Sequence, residues 1–159
     1  MLSPAQRNDL IDKMHQLPDQ IEAAVRGLDD QQLDTPYGPG KWTPRQVVHH
    51  LADSHMNAFV RMKLILAEEK PTLKTYNQDE WAKFDDASKL PVAPSLAILR
   101  GLHERLVHML KHASDSDFAR PAHHPERGEV TLDDMVVIYG RHGEKHCGQI
   151  NGLRAAKGW

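Results

Sequence analysis

Apolar residues recur every three or four positions through most of this chain, the spacing of one buried helix face. Leu10, Met14, Leu17, Ile21, Ala24/Val25 and Leu28 form a first stripe. Val47/Val48, Leu51, His55, Ala58/Phe59, Met62 and Ile65/Leu66 form a second, reaching about Glu69. Leu96, Leu99, Leu102/His103, Leu106 and Met109/Leu110 form a third, opening near Pro94-Ser95. Leu132, Met135, Tyr139, His142, His146, Ile150 and Leu153 form the fourth. No run alternates apolar and polar as a half-buried strand does. Three stripes open on helix-start chemistry. Ser3 and Thr43 each precede a proline at the first helical position and a glutamine at the third; Thr131 precedes Asp134 in the same register. Pro18 lies inside the first stripe and predicts a kink or two stacked segments. A short helix is predicted after Asn77, with Glu80 closing its cap and Trp81 and Phe84 facing inward. Ser114 to Val130 reads as a long loop. The pattern predicts an all-α, four-helix bundle of up-down helices, with one extra short helix and long connections.

A chain of 159 residues suits one domain, here spanning 1–159. Lys and Arg total 20 against 22 Asp and Glu, a net charge of −2, so no basic excess exists to neutralise a phosphate backbone and nucleic acid is not an expected partner. The single cysteine, Cys147, excludes an internal disulfide and a cysteine-rich zinc site. No apolar run approaches the ~20 residues of a membrane span, and the first residues lack a signal-peptide core, so a cytoplasmic location and no membrane partner are expected. Eleven histidines change the picture, because histidine is the commonest metal ligand.

Successive helical side chains turn by about 100°. His142 and His146, one turn apart, therefore share the apolar face marked by Met135, Tyr139 and Ile150. Side chains so placed can reach one ion at ~2.0–2.1 Å. Two stacked core histidines without an ion would need several buried partners. The spacing is that of zincin helices, but Gly143 stands where their glutamate does and Glu144 points away, so a metalloprotease is excluded. His50 lies on the flank of its helix, followed by Ser54, Asn57 and Arg61 on one polar seam; a site lining and a solvated face are equal readings for it. His49 is expected in solvent, His55 and His103 as satisfied core histidines, and His15, His108 and His112 on helix surfaces. His123 and His124 are expected on a loop surface, and Cys147 as packing.

The stretch from Trp42-Thr43-Pro44-Arg45-Gln46 through His49-His50-Leu51-Ala52-Asp53-Ser54-His55 to Asn57 resembles the opening motif of the DinB superfamily, in its YfiT-like branch. Tyr139-Gly140-Arg141-His142 to Ile150 resembles that family's later His-x-x-x-His motif, with Gln149 fitting the wider superfamily. Tyr76, Trp81, His103 and His124-Pro125-Glu126 also fall where that branch has similar residues. The resemblance implies a DinB-like four-helix bundle, often a homodimer. It implies one divalent ion per chain, nickel or zinc, held by His50, His142 and His146. Ser54, Asn57, Arg61 and Tyr139 are then the candidates to surround the ion. The branch implies a metal-dependent hydrolase acting on a small-molecule substrate, with metal-activated water as nucleophile. Other superfamily members resemble bacillithiol transferases, so a low-molecular-weight thiol S-transferase is an alternative. A non-catalytic metal-binding bundle is a third.

Overall fold

The computed structural model describes residues 1–159. Its helices are α1 (Pro4–Val25), α2 (Asp30–Leu33), α3 (Pro44–Ala67), α4 (Gln78–Trp81), α5 (Asp85–Ser88), α6 (Ala93–Lys111), α7 (Asp115–Phe118) and α8 (Leu132–Lys157). Two short strands, β1 (Pro121–His124) and β2 (Gly128–Thr131), form an antiparallel hairpin between α7 and α8. Ser3, Thr43 and Thr131 each cap their helix through a reciprocal capping box. The expected bundle is formed by α1, α3, α6 and α8.

Cross-helix bonds fix the helix directions. Arg7–Asp133, Lys13–Glu144 and Arg154–Ala24 rise together along α1 and α8, which are parallel. His49–Ser95 and His55–His103 make α3 and α6 parallel as well. Lys111–Asp12 and Arg100–Asp19 set α6 antiparallel to α1. His50–His142 and Arg61–Tyr139 set α8 antiparallel to α3. The order is thus up, down, down, up rather than strict alternation. Residues 68–92 carry the chain back along α3, whose 24 residues span about 36 Å, before α6 begins. On the way α4 and α5 form, and α5 packs on α3.

Other expectations change with this geometry. Pro18 sits within one continuous helix, α1. Residues 114–131 are not a long loop but α7 and the hairpin, which is pinned to the crossover: Leu73 N–H donates to the His123 carbonyl (2.8 Å) and His123 N–H to that of Pro71 (2.9 Å). Strands of four residues are too short to show alternation in sequence. In α4 Asn77, not Glu80, supplies the cap, and Glu80 pairs with Lys83. Phe84 is exposed.

The core has two apolar halves. One gathers Met14, Met62, Leu106 and Met135; the other gathers Leu17, Leu51, Leu99, Cys147 and Ile150. Between them each of α3, α6 and α8 places histidine: His55, His103 and His142. On α8, Gly140 and Gly143 allow a close approach to α1. A Cβ at Gly143 would lie 2.4 Å from a Leu17 methyl, and one at Gly140 2.8 Å from Leu10 Cβ. No helix is long and apolar enough to cross a membrane.

Candidate metal centre

His50 on α3 and His142 and His146 on α8 converge across the antiparallel α3–α8 pair. One ring nitrogen from each lies within 4.8 Å of the other two. The Nε2 atoms of His146 and His142 are 3.1 Å apart, and those of His50 and His142 3.4 Å. Bonds of ~2.0–2.1 Å at the tetrahedral angle would place two ligand nitrogens about 3.3 Å apart. The spacing therefore fits a divalent ion. Donor chemistry agrees. Gln149 Oε1 accepts from His146 Nδ1 at 2.8 Å, which leaves His146 Nε2 as a bare lone pair aimed at its neighbours. Gln149 is held in turn by donating to the Tyr37 hydroxyl.

The surroundings keep the rings neutral, as ligation requires. Burial pushes His50 down to about 3, helped by His146 and Lys145. Burial, then His146 and His50, push His142 down to about 3. Burial lowers His146 too, although its bond to Gln149 opposes this. Trp42 walls the site, with its ring centroid 4.6 Å from that of His50 and 6.4 Å from that of His146.

A cleft of about 690 Å³ opens onto His142. Ser54, Arg61 and Tyr139, three of the expected neighbours, line it. Arg61 is already engaged: Nε and Nη2 donate to the Lys74 carbonyl at 3.0 and 2.6 Å, and Nη1 to the Tyr139 hydroxyl at 3.1 Å. It braces the crossover and Tyr139 more than it offers free donors. Asn57 does not join the cleft, because its side-chain amide donates to the Asp53 carbonyl of its own helix. The crossover and the hairpin supply lining that the helical stripes did not indicate, chiefly Tyr76, His124 and Arg127. His124 corrects the expectation of a surface histidine: it is buried, on the inward side of β1. Its family-like place beside Pro125 and Glu126 was the one sequence signal for it. His123, its neighbour, is exposed.

His49 is the other correction. It is 4% exposed, not in solvent. The segment after α5 and the start of α6 cover that flank of α3, and the ring bonds Ser95 Oγ (2.8 Å) and the Leu90 carbonyl (3.0 Å). His55 and His103 are buried and hydrogen-bonded, as expected of core histidines. Cys147 is buried, and desolvation pushes its thiol up to about 11.

Residues 13–150 match the model of the DinB superfamily. A protein of Bacillus mycoides (strain KBAB4) whose name reads "putative metal-dependent hydrolase" is 44% identical over 149 residues, covering 94% of this chain and 86% of its own length. A protein of Bacillus anthracis (strain CDC 684 / NRRL 3495) with the same name matches to the same extent. The solved structure of YfiT from Bacillus subtilis, described as "a probable metal-dependent hydrolase with an unusual four-helix bundle topology", superposes with a TM-score of 0.97 at 38% identity, over 100% of this chain and 91% of that one.

Proposed function

The chain belongs to the DinB superfamily, and from that membership we propose that it is a metal-dependent hydrolase whose single divalent ion, nickel or zinc, is held by His50, His142 and His146. The observation that carries this reading is the convergence of three imidazoles, His50 and His146 buried and His142 half-buried, whose Nε2 atoms stand at ligand spacing beside a polar cleft. When bound, such an ion supplies Lewis acidity and brings the pKa of water toward 7.

The protein's own groups do the rest. Gln149 orients His146. Arg61 holds the Tyr139 hydroxyl at the cleft wall, where it can meet a polar substrate atom. His124 Nδ1 accepts from the Glu126 backbone N–H at 3.2 Å, so the neutral ring keeps its proton on Nε2 and can donate it to an oxygen or a leaving group in the cleft. Glu144, beside the ligands in sequence, faces away and pairs with Lys13, so it is no general base. Three protein ligands leave coordination positions open, the arrangement of a catalytic rather than a structural site. The family likeness also motivates a cytoplasmic homodimer, which sedimentation would report as twice 18.0 kDa.

The test is a panel of esters, amides and electrophiles offered to protein of measured metal content, with and without low-molecular-weight thiols. One ion per chain and turnover without thiol are expected. Turnover that appears only with thiol, and scales with it, would replace the hydrolase by the S-transferase; Cys147 is too sheltered to be the source of such a thiol. Bound ion without turnover in either arm would favour the binding bundle.

A further inference from the structure

Three rings stand in file across the middle of the bundle and end on a backbone carbonyl. His142 Nδ1 lies 3.2 Å from His55 Nε2. His55 Nδ1 lies 2.9 Å from His103 Nε2. His103 Nδ1 lies 2.6 Å from the Met14 carbonyl oxygen.

This file has one consistent proton arrangement. A carbonyl oxygen only accepts, so His103 carries its proton on Nδ1 and its Nε2 is bare. A bare nitrogen also only accepts, so His55 carries its proton on Nδ1, and its own Nε2 is bare. The same step puts the proton of His142 on Nδ1. His142 Nε2 is then a lone pair, facing Nε2 of His146 and of His50. The logic needs neutral rings, since an imidazolium donates from both nitrogens. His55 and His103 are buried, and none of the three rings has a carboxylate among its hydrogen-bond partners to favour a second proton.

The fixed end has its own cause. Within an α-helix the Met14 carbonyl would accept from the N–H four residues on, but residue 18 is proline and has none. A buried carbonyl without that donor requires another, and His103 provides it.

We propose that His55 and His103 are positioning residues which, anchored on the Met14 carbonyl that Pro18 leaves free, hold His142 in the one tautomer that offers Nε2 to a metal ion. The proposal rests on the reading of His50, His142 and His146 as ligands. Untethered, His142 could place its proton on Nε2 and be lost as a ligand on that side. Outer partners of metal-binding histidines typically control affinity by roughly 10–100-fold.

Two readouts test it on the full chain. The first is nitrogen NMR of histidine-labelled protein in chelator, which reports the protonated nitrogen of each ring. His103, His55 and His142 should all show protonated Nδ1 and bare Nε2; a proton on Nε2 of His55 or His103 overturns the proposal without any variant. The second is zinc affinity, measured by competition with a chromophoric chelator. His103→Leu should weaken zinc by roughly 10–100-fold and give His142 a mixed tautomer signal. His103→Gln, whose amide can both donate to Met14 and accept from His55, should recover part of the loss. Unchanged zinc affinity in His103→Leu, or an equal loss in both variants, assigns His103 to packing alone and overturns the proposal. Wild-type protein that shows the three tautomers but binds no zinc would sink the ligand reading instead, so the two failures are distinguishable.

Discussion

Adjacent residues on a helix diverge by about 100°, so His49 and His50 meet different neighbours. Removing either takes away a buried ring, but the expected losses differ in kind. His50→Ala should abolish stoichiometric zinc binding, beyond the roughly 10–100-fold that outer partners control. His49→Ala should keep the ion yet lower stability, since Ser95 and the Leu90 carbonyl lose their buried partner at about 1–3 kcal/mol. Equilibrium dialysis and urea melts of the two variants separate these effects; equal zinc loss in both would mean that α3 presents another face to α8. The same pair shows what was legible in the sequence. His142 and His146 were readable because they interrupt an apolar stripe one turn apart. The pattern supports two readings for His50 and points His49 to solvent, because a stripe marks the buried centre of a helix but not which flank a distant segment covers. The cover is residues 89–95, brought there by the crossover. His124 was hidden for a related reason: its burial depends on a hairpin clamped to Pro71 and Leu73, a contact no local pattern encodes.

Helix starts were the best-read elements, since a capping box is local chemistry that survives any tertiary arrangement. Helix directions were not, because they follow from how far residues 68–92 travel. The close pairing of α1 and α8 makes its own predictions. Gly140→Ala should destabilise by about 1–3 kcal/mol, because the new methyl meets the Leu10 Cβ at 2.8 Å and its carbonyl oxygen at 3.1 Å, atoms that cannot rotate away. Gly148→Ala, on the same helix with open space around it, should gain up to about 1 kcal/mol from helix propensity. Denaturant midpoints for the two would carry opposite signs; equal gains would show that α1 yields freely. Farther along the same seam Asp133 accepts from Arg7 Nε at 2.9 Å and from the Leu2 backbone N–H at 2.8 Å, with both side chains buried. Asp133→Ala would leave the Arg7 guanidinium with exposed Asp115 as its one charged partner, beside the Phe118 ring. A loss of about 3 kcal/mol is expected in chemical denaturation, and a change below 1 kcal/mol would show the pair to be replaceable.

For the whole molecule the polar layer between the two apolar halves ties stability to pH. His103 is the clearest case, since it touches none of the three proposed ligands; Met14, His55 and, at longer range, His15 are what its ring senses. Burial pushes it down to about 4, although its bond to the Met14 carbonyl works the other way. Its unfolded value is ~6.5, so below that the unfolded chain takes up the proton first. Stability should hold above about pH 6.5 and fall as pH drops toward 4, with His103 alone costing about 2 kcal/mol at pH 5. Urea titrations of metal-free protein at a series of pH values give the slope, and His103→Leu should flatten it. A wild-type profile level from pH 7 to pH 5 would contradict the buried neutral ring.

The parallel seam of α1 and α8 also bears on how the chain is made. The backbone N–H of Leu2 bonds to Asp133, and Arg154 bonds to the carbonyls of Ala24 and Arg26, so α1 waits for α8. Loops closed over such sequence distances slow folding relative to bundles built from neighbouring helices. Until α8 has been made, the apolar stripe of α1 is covered chiefly by α6, and Leu10 and Leu17, which pack under Gly140 and Gly143, lack that cover. Two of the three histidines proposed as ligands arrive with that same helix, so completing the candidate metal site and closing the core become a single late event.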